Sequence, residues 1–201
     1  MKKKHLTNST NRIIMFSIMN ENNNISTLSL AVLGLIVQRP RSGYDLRKVF
    51  STTPMGHFSS SPGAIYPALK RIEKNGWVRG SIDTKKALRP KMVYRITKRG
   101  KDVLKEHLLQ SVTRDDVIWH MDDLMLRFAF IEQVEGRKRT LQFLKGFQSE
   151  IESHHRSLRQ YLDEIKGIIP PCGRLAMENG IEIYKMNAKW AKRAIKELEG
   201  D

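Results

Sequence analysis

The sequence predicts a mainly α-helical protein with one small β-hairpin, divided into two parts. In residues 26–110, three segments with helical apolar spacing precede two short β-prone segments and a further helix. In residues 111–201, three long segments repeat apolar residues at steps of three and four. The charge divides at nearly the same point, since residues 27–110 carry seventeen basic and five acidic residues and residues 111–201 carry fifteen of each.

Composition narrows the class of protein. The 201 residues include 36 Lys and Arg against 21 Asp and Glu, a formal net charge of +15, and 40% are hydrophobic. These values are typical of a globular chain, and no apolar run reaches the roughly 18 residues of a membrane helix. The single cysteine, Cys172, excludes an intramolecular disulfide and a cysteine-rich zinc site, so we expect the reducing cytoplasm. The basic segment favours nucleic acid, with a membrane surface or plain solvation as alternatives.

Residues 1–25 differ from the rest of the chain and are expected to form a disordered extension. Their apolar run, residues 13–19, is short for a secretory signal, is interrupted by Ser17 and is followed by polar residues. A true start of the chain at Met15 or Met19 is the alternative explanation.

The first two helices are predicted from their caps. Residues 26–40 are nearly all apolar and too few to span a bilayer, so we expect a buried helix capped by Ser26 or Thr27. The next helix begins at Ser42, which stands in capping-box spacing with Asp45. A polar, turn-rich stretch then predicts a loop before the third helix.

The third helix, predicted over residues 61–75, carries a proline in its interior. Ser61 is a favourable N-cap, and Gly76 provides the stop. Its buried stripe is expected to consist of Ile65, Leu69 and Ile72. Pro67 removes one helix hydrogen bond and crowds the carbonyl four residues earlier, at a cost of roughly 3 kcal/mol. This proline therefore needs an explanation.

Two short β-prone segments, residues 77–82 and 91–97, predict a hairpin with a basic tip. A further helix is expected over residues 97–110. The order helix, helix, helix, hairpin, helix is the layout of a winged helix-turn-helix domain, in which the hairpin is the wing. We therefore assign residues 26–110 to this domain.

The last part of the chain, residues 111–201, is expected to be a helical dimerisation domain. Gly136 separates its first two helices, and residues 168–173 separate the last two. Their heptad spacing is made for packing helix on helix. The expected interface positions are Val117, Met121, Leu124, Phe128, Ile181, Tyr184, Ala188, Ala191, Ile195 and Leu198. We call the apolar stripe that this spacing forms on each helix its heptad seam. Packing of the seams against each other within one chain is the alternative to dimerisation.

The exposed face of the third helix has the properties needed to enter the major groove of DNA. Free N–H groups at a helix N-terminus favour phosphate, small residues permit close approach, and basic or hydroxyl side chains contact bases and phosphates. The candidate DNA-binding residues here are Ser59, Ser60, Ser61, Gly63, Ala64, Tyr66, Pro67, Lys70 and Arg71. Those of the hairpin tip are Lys85, Lys86, Arg89 and Lys91. A solvated charged turn is the alternative for the tip.

Two hypotheses explain Pro67. In the first, the irregularity that it causes fixes how residues 61–66 enter the groove. In the second, the regular helix begins at Pro67, and the proline has no consequence for DNA binding.

Three segments, SGYDL, SPGAIYPALKRIEKNGW and YRITKRG, resemble in order and spacing the signature segments of PadR-type transcriptional regulators. The resemblance is strong over residues 27–105 and weaker in the C-terminal half. It implies a bacterial homodimeric DNA-binding regulator, commonly a repressor, that binds an inverted-repeat operator through helix 61–75 and wing 82–91. It also implies a cytoplasmic location with the nucleoid, and it adds Tyr44 and Tyr94 to the candidate DNA-binding residues.

A small aromatic effector is a further implication of the resemblance, since many relatives respond to phenolic acids or other flat aromatic compounds. As a hypothesis, Trp119 lines an effector site between the helical part and the DNA-binding domain. The interpretation favoured for both Trp119 and Trp190, which lie beside heptad seams, is packing against partner helices.

No enzyme activity, metal site or cofactor is expected. His154 and His155 are adjacent on a helix and cannot both face one metal, and His154 lies on a seam, where a polar core position is the better interpretation. The sequence has no glycine-rich phosphate loop. The alternative to operator recognition is a winged-helix module that binds RNA or a protein partner.

Overall fold

The computed structural model describes residues 25–55, 62–83 and 90–200. The predicted extension, except for Ile25, therefore lies outside the described residues. In chain order the elements are α1 Thr27–Gln38, β1 Arg41–Ser42, α2 Gly43–Thr52, α3 Pro62–Lys74, β2 Val78–Asp83, β3 Lys91–Ile96, α4 Lys98–Leu108, α5 Arg114–Trp119, α6 Met121–Glu135, α7 Arg137–Ile165 and α8 Pro171–Gly200. None of the helices in these ranges is long and apolar enough to cross a membrane.

The helix N-termini confirm the caps predicted from the sequence. Ser26 caps α1, where its hydroxyl accepts a hydrogen bond from the Ser29 N–H at 3.3 Å. Ser42 and Asp45 form the predicted capping box at the start of α2, with reciprocal hydrogen bonds of 3.1 and 3.0 Å. Thr97 caps α4 in a similar way. Each cap satisfies backbone N–H groups that the helix itself leaves unpaired.

The sheet is antiparallel, with the strand order β1-β3-β2. β2 and β3 form the predicted wing, in a register that pairs Val78 with Ile96. β1 is an addition to the predicted fold, because two residues are too few for an alternating pattern. Its Arg41 pairs with Tyr94 of β3, and its Ser42 also caps α2. This short strand therefore ties the wing to the start of α2.

Helix α1 lies at the centre of the core. Eight of its twelve residues are buried, and it packs against the predicted stripe of α3. Ile65, Leu69 and Ile72 of that stripe are each at most 1% exposed. Another face of α1 receives α6, since a Cβ atom at Gly34 would lie 2.3 Å from the Phe130 ring. The hydrophobic core is therefore continuous across the predicted domain boundary.

The first helix predicted in the C-terminal part is in fact two helices. α5 ends at Trp119 and α6 follows, with His120 between them out of helical conformation (φ −130°, ψ 33°). Gly136 ends α6 as expected, with a φ of 77°. α7 and α8 then pack along each other in antiparallel directions, so that Lys145 near the start of α7 forms a 2.7 Å ion pair with Glu199 near the end of α8.

The heptad seams pack against one another inside one chain, which is the alternative use that the sequence left open. The buried seam residues are Val117, Leu124, Ile181, Ala191 and Ile195. Those partly buried against the same core are Met121, Phe128, Tyr184, Ala188 and Leu198. A short turn joins α7 to α8, so their seams face each other without a second copy. Contacts of the partly buried seam residues with a second copy stay a prediction.

Candidate nucleic-acid interface

Helix α3 presents an exposed face along most of its length. It runs from Pro62 to Lys74 with Pro67 inside it, so the hypothesis that the regular helix begins at Pro67 is wrong. The predicted residues that are exposed on α3 are Gly63, Tyr66, Pro67, Lys70 and Arg71, and Ala64 is half-buried. The helix thus carries small residues near its start and basic residues further along, as a major-groove helix requires.

Tyr66 links α3 to the start of α2. A Cβ atom at Gly43 would lie 2.6 Å from Tyr66 Cε1, so the missing side chain leaves room for the phenol ring. Tyr44 is 59% exposed, and the Arg47 guanidinium lies 5.4 Å from its ring centroid. Tyr44 is thus not packed into the core. Together, Tyr66, Tyr44 and Arg47 add aromatic and basic groups beside the exposed face of α3.

Arg71 has partners within the chain. Its Nη2 donates hydrogen bonds to the hydroxyl oxygens of Ser26 at 3.0 Å and Ser29 at 3.1 Å. The side chain thereby ties the C-terminal half of α3 to the N-cap of α1. The predicted contact of Arg71 with DNA stays a prediction, and the structure gives the residue a positioning role as well.

The base of the wing packs against α3. The N–H of Gly80 donates a 2.9 Å hydrogen bond to Glu73 of α3, and a Cβ atom at Gly80 would lie 3.2 Å from the Tyr94 ring. Burial raises the pKa of Tyr94, and the neighbouring Glu73 and Tyr66 raise it further. Tyr94 is therefore a neutral hydrogen-bonding group between the wing and α3.

Lys91 lies at the start of β3, 3.6 Å from the Asp45 carboxylate. Burial alone would raise the pKa of Asp45, but hydrogen bonds from Ser42 and the charge of Lys91 hold it below its usual value. The pair is partly exposed, and such pairs contribute little, so Lys91 can exchange this partner for a phosphate. The remaining predicted residues, Ser59, Ser60, Ser61, Lys85, Lys86 and Arg89, lie outside the described residues and stay predictions.

A basic depression of about 510 Å³ beside α2 adds basic residues that were not among the predicted DNA-binding residues. It is lined by Arg39, Pro40, Arg41, Asp45, Lys48, Val49 and Thr52. Arg41 is only 8% exposed, and its Nε donates a 3.0 Å hydrogen bond to the Leu35 carbonyl. Burial lowers the pKa of Arg41, as does the nearby charge of Arg39. Three cations around one carboxylate favour the binding of an anion in this depression. In the sequence, the Arg-Pro-Arg string before the capping box was the feature that could have predicted it.

His154 lies in the core of the helical part, which confirms its predicted position. It is 7% exposed, and its ring packs edge-on against Tyr184 with the centroids 4.6 Å apart. Burial lowers the pKa of His154, and the charge of Arg114 lowers it further. Within the described ranges, no three His, Cys, Asp or Glu side chains are grouped so that they could hold a metal ion.

The two tryptophans of the C-terminal half differ in burial. Trp190 packs edge-on against Phe128 and Phe147, with ring centroids 5.1 and 5.9 Å apart, as expected from its place beside a seam. Trp119 is 74% exposed, so it does not pack against the helices of its own chain. The reason is that α5 stops at this residue, where the chain leaves the helical direction.

The two parts are joined by polar contacts between α4 and α6. His107 Nε2 lies 3.0 Å from the Asp123 carboxylate, and Lys105 Nζ lies 2.8 Å from Glu135. The buried Arg127 donates a hydrogen bond to the backbone carbonyl of a residue just after α4. No pairing of His107 was expected, because its partner is sixteen residues away on another helix.

A cavity of about 310 Å³ lies at this junction. It is lined by Leu108, Leu109, Gln110, Ser111, Val112, Ile131, Arg139, Gln142, Phe143 and Gly146. Its walls are mixed, with five large apolar side chains beside one guanidinium, two amides and a hydroxyl. Trp119 is not among the residues that line this cavity, and its role at an effector site stays a prediction.

Family models match both halves of the chain. Residues 32–106 match the transcriptional regulator PadR-like family, and residues 122–199 match the family described as virulence activator alpha C-term. Residues 32–106 therefore form a PadR-like transcriptional regulator domain. This match confirms the resemblance found in the sequence and the expectation that the protein is not an enzyme. The observed helices and small sheet likewise confirm the predicted fold class.

Individual relatives match this chain over most of its length, but at low identity. It is 23% identical over 181 residues to the negative transcriptional regulator PadR of Bacillus subtilis (strain 168), covering 87% of this chain and 98% of that protein. The crystal structure of Bacillus subtilis PadR in complex with operator DNA matches with a TM-score of 0.39 and 19% identity, over 86% of this chain and 99% of that one. The structure of that protein with p-coumaric acid gives 0.36 and 20%, over 87% and 97%.

Proposed function

We propose that this chain is a homodimeric repressor that binds an inverted-repeat operator in double-stranded DNA through α3 and the wing. The observation that carries the proposal is the exposed face of α3, with Gly63, Tyr66 and Lys70, in the half of the chain that holds the excess positive charge. Residues 26–110 would be the DNA-binding domain, and residues 111–201 the dimerisation domain. The protein would act in the bacterial cytoplasm, at the nucleoid.

The proposed DNA contacts are of two kinds. α3 would lie in the major groove, with Tyr66 and Lys70 near base edges, which supply sequence selectivity. Arg39, Lys48 and Lys91 would contact backbone phosphates on either side, which supply affinity and make it dependent on salt. The neutral phenol of Tyr94 would add a hydrogen bond at the base of the wing.

Two observations support dimeric repression. The curated relative is named a negative transcriptional regulator. On the outer face of α8, Leu175, Ile183 and Met186 are 56%, 48% and 60% exposed, and apolar side chains grouped in this way mark surfaces that a partner covers. A two-fold dimer would place its two α3 helices about 34–36 Å apart, one turn of DNA, to match an inverted repeat.

A small aromatic effector would bind in the cavity at the junction of the two parts. Leu108, Ile131 and Phe143 offer apolar contact to a ring, and Arg139 offers a partner to a carboxylate. Because this cavity lies between α4 and α7, a bound ligand would alter how the DNA-binding domain is held, and so relieve repression. Titration of the protein–operator complex with simple aromatic acids tests this, and Arg139→Ala is expected to remove any response.

Binding titrations with the intergenic DNA next to the coding region test the proposal. The wild-type protein is expected to prefer that DNA over unrelated duplex by about 10³-fold or more. Lys70→Ala is expected to weaken operator binding by about 10- to 100-fold, because each good base contact contributes 1–3 kcal/mol. The matched control is Lys192→Ala, which removes the same charge from an exposed position on α8 and is expected to leave binding unchanged.

Three outcomes would contradict the proposal. Equal affinity for operator and unrelated duplex would remove operator recognition. Tighter binding of RNA than of duplex would favour the alternative winged-helix function. Equal losses in the Lys70 and Lys192 variants would mean that charge alone, and not the face of α3, determines affinity.

A further inference from the structure

Helix α5 carries an exposed tryptophan whose position the fold of one chain does not explain. Trp119 is 74% exposed at the end of this short helix. Asp115 lies four residues earlier, on the same side of the helix, and is also exposed. A large aromatic ring left in water next to a carboxylate is a typical centre of a protein interface.

A groove between α6 and α8 offers a complementary surface. It measures about 580 Å³ and has Met125, Met186 and Trp190 among its lining residues. Trp190 is held rigidly by its edge-on contacts with two phenylalanines. Lys185, Lys189 and Arg193 also line the groove together with one acidic residue, Glu182, so its charged groups are mostly basic. The groove therefore combines two pliable methionine side chains and a tryptophan, which suit an aromatic ring, with cations that suit a carboxylate.

We propose that Trp119 of one copy inserts into the groove between α6 and α8 of a second copy, with Asp115 facing the basic side chains of that groove, and that the second copy does the same in return. This inference rests on the homodimer in the proposed function and names the side chains that would form its centre. Trp119 cannot fill the groove of its own chain, because it is not among the lining residues and stays exposed.

A second copy is the occupant that the arrangement favours. Trp119 and the groove residue Met125 are six positions apart, so the inserting residue and the receiving groove lie side by side on one molecule. A two-fold dimer needs such a self-complementary surface, in which each copy gives and receives the same contact. The charges are complementary as well, because the Asp115 carboxylate of one copy would face the lysine and arginine side chains at the groove of the other.

Sedimentation of the full-length protein at several concentrations tests the inference first. Trp119→Ala is expected to raise the dimer dissociation constant by about 100-fold, the effect of removing a central aromatic residue from an interface. Asp115→Lys is expected to raise it by about 5- to 10-fold through repulsion from the basic side chains of the groove. The matched control is Tyr161→Ala, which removes a 53% exposed aromatic ring from α7 and is expected to leave dimerisation unchanged.

Disulfide trapping then identifies the contact. In a Cys172→Ser background, Trp119→Cys and Met186→Cys are made in separate proteins, which are mixed, allowed to exchange subunits and oxidised. A dimer-sized band on a non-reducing gel is expected to be stronger in the mixture than in either protein alone. Circular dichroism of each variant confirms that the chain is folded.

The outcomes separate this inference from the proposed function. If Trp119→Ala dimerises like the wild type and the mixture gives no additional band, the inference is overturned while the dimeric repressor stands. The same result is expected if residues 1–24 or an unrelated protein occupies the groove. If the wild-type protein is monomeric at every concentration, the dimer in the proposed function fails together with the inference.

Discussion

The two halves of this chain use their charges differently. Residues 27–110 carry seventeen basic and five acidic residues, and many of the basic side chains stand exposed around α3 and the wing. Residues 111–201 carry equal numbers, and several are paired along or between the helices, as in Lys185 with Glu182 at 2.9 Å and Arg174 with Glu178 at 2.7 Å. The first half keeps its positive charge for a partner, whereas the second neutralises its own.

The packing does not follow the same division. α1 belongs by sequence to the basic half, yet it is buried between α3 on one side and α6 on the other. Surface chemistry and core packing therefore divide the molecule at different places. A boundary drawn from charge separates two different surfaces, but it does not imply that either half is stable alone.

The sharpest test of this shared core is Phe147→Ala. Phe147 is fully buried on α7 and supports Trp190, so its truncation is expected to lower the free energy of unfolding by about 3–5 kcal/mol. With a continuous core, urea unfolding followed by far-UV circular dichroism will show one transition that shifts as a whole. The control Tyr161→Ala, on the exposed side of α7, is expected to change stability by less than about 0.5 kcal/mol. Two transitions, of which only one moves, would show that the halves unfold separately.

A smaller loss is expected where α1 meets α6. Gly34→Ala places a Cβ atom 2.3 Å from the Phe130 ring, and overpacking of this kind costs about 1–3 kcal/mol. The same substitution at Gly180 of α8, which has no atom within 4 Å of the new Cβ, is expected to stabilise by up to about 1 kcal/mol through helix propensity. Thermal melts of the two variants at one protein concentration compare them. Similar gains in both would mean that α1 and α6 are not in close contact.

The smallest expected effect is a dependence of stability on pH, and it comes from His154 in residues 111–201, the half without net charge. Burial keeps the pKa of His154 in the folded protein below its ordinary value of 6.5. As the pH falls below 6.5, His154 binds a proton more readily in the unfolded chain than in the folded protein, so the free energy of unfolding decreases. Well above pH 6.5, His154 is neutral in both states and adds no pH dependence. His154→Phe, which retains a ring against Tyr184, is expected to flatten the stability profile between about pH 7 and pH 5. Urea midpoints across that range provide the measurement, with His120→Phe at an exposed position as the control.

The parts of the fold that could be predicted are those determined by neighbours in sequence. Ser26 and Ser42 mark helix starts because a capping hydroxyl bonds a backbone N–H only three residues on. Gly76 and Gly136 mark helix ends because their φ values of 73° and 77° suit glycine. The exposed face of α3 could be predicted for the same reason, since helical spacing determines which residues share a side.

The parts that could not be predicted depend on which distant element covers a given face. Heptad spacing identified the apolar side of α8 correctly but did not say that α7 of the same chain would cover it. The contacts of Arg71 with Ser26 and Ser29 join residues more than forty positions apart. The helix breaks at His120, and Trp119 before it is exposed. The sequence around His120 has no glycine or proline that would predict this break. Such features are set by tertiary packing, which overrides local preference.

The hydrogen bonds from Arg71 to the cap of α1 have a consequence for how such a protein changes over evolution. α1 is held at its first turn by α3 and further along by the Phe130 ring of α6, so it acts as a spacer between the proposed DNA-binding helix and the helical half. In the proposed dimer, the distance between the two α3 helices is then set by buried side chains on either side of α1. Substitutions in the interior are thus a route to a new half-site spacing that leaves every DNA-contacting residue in place.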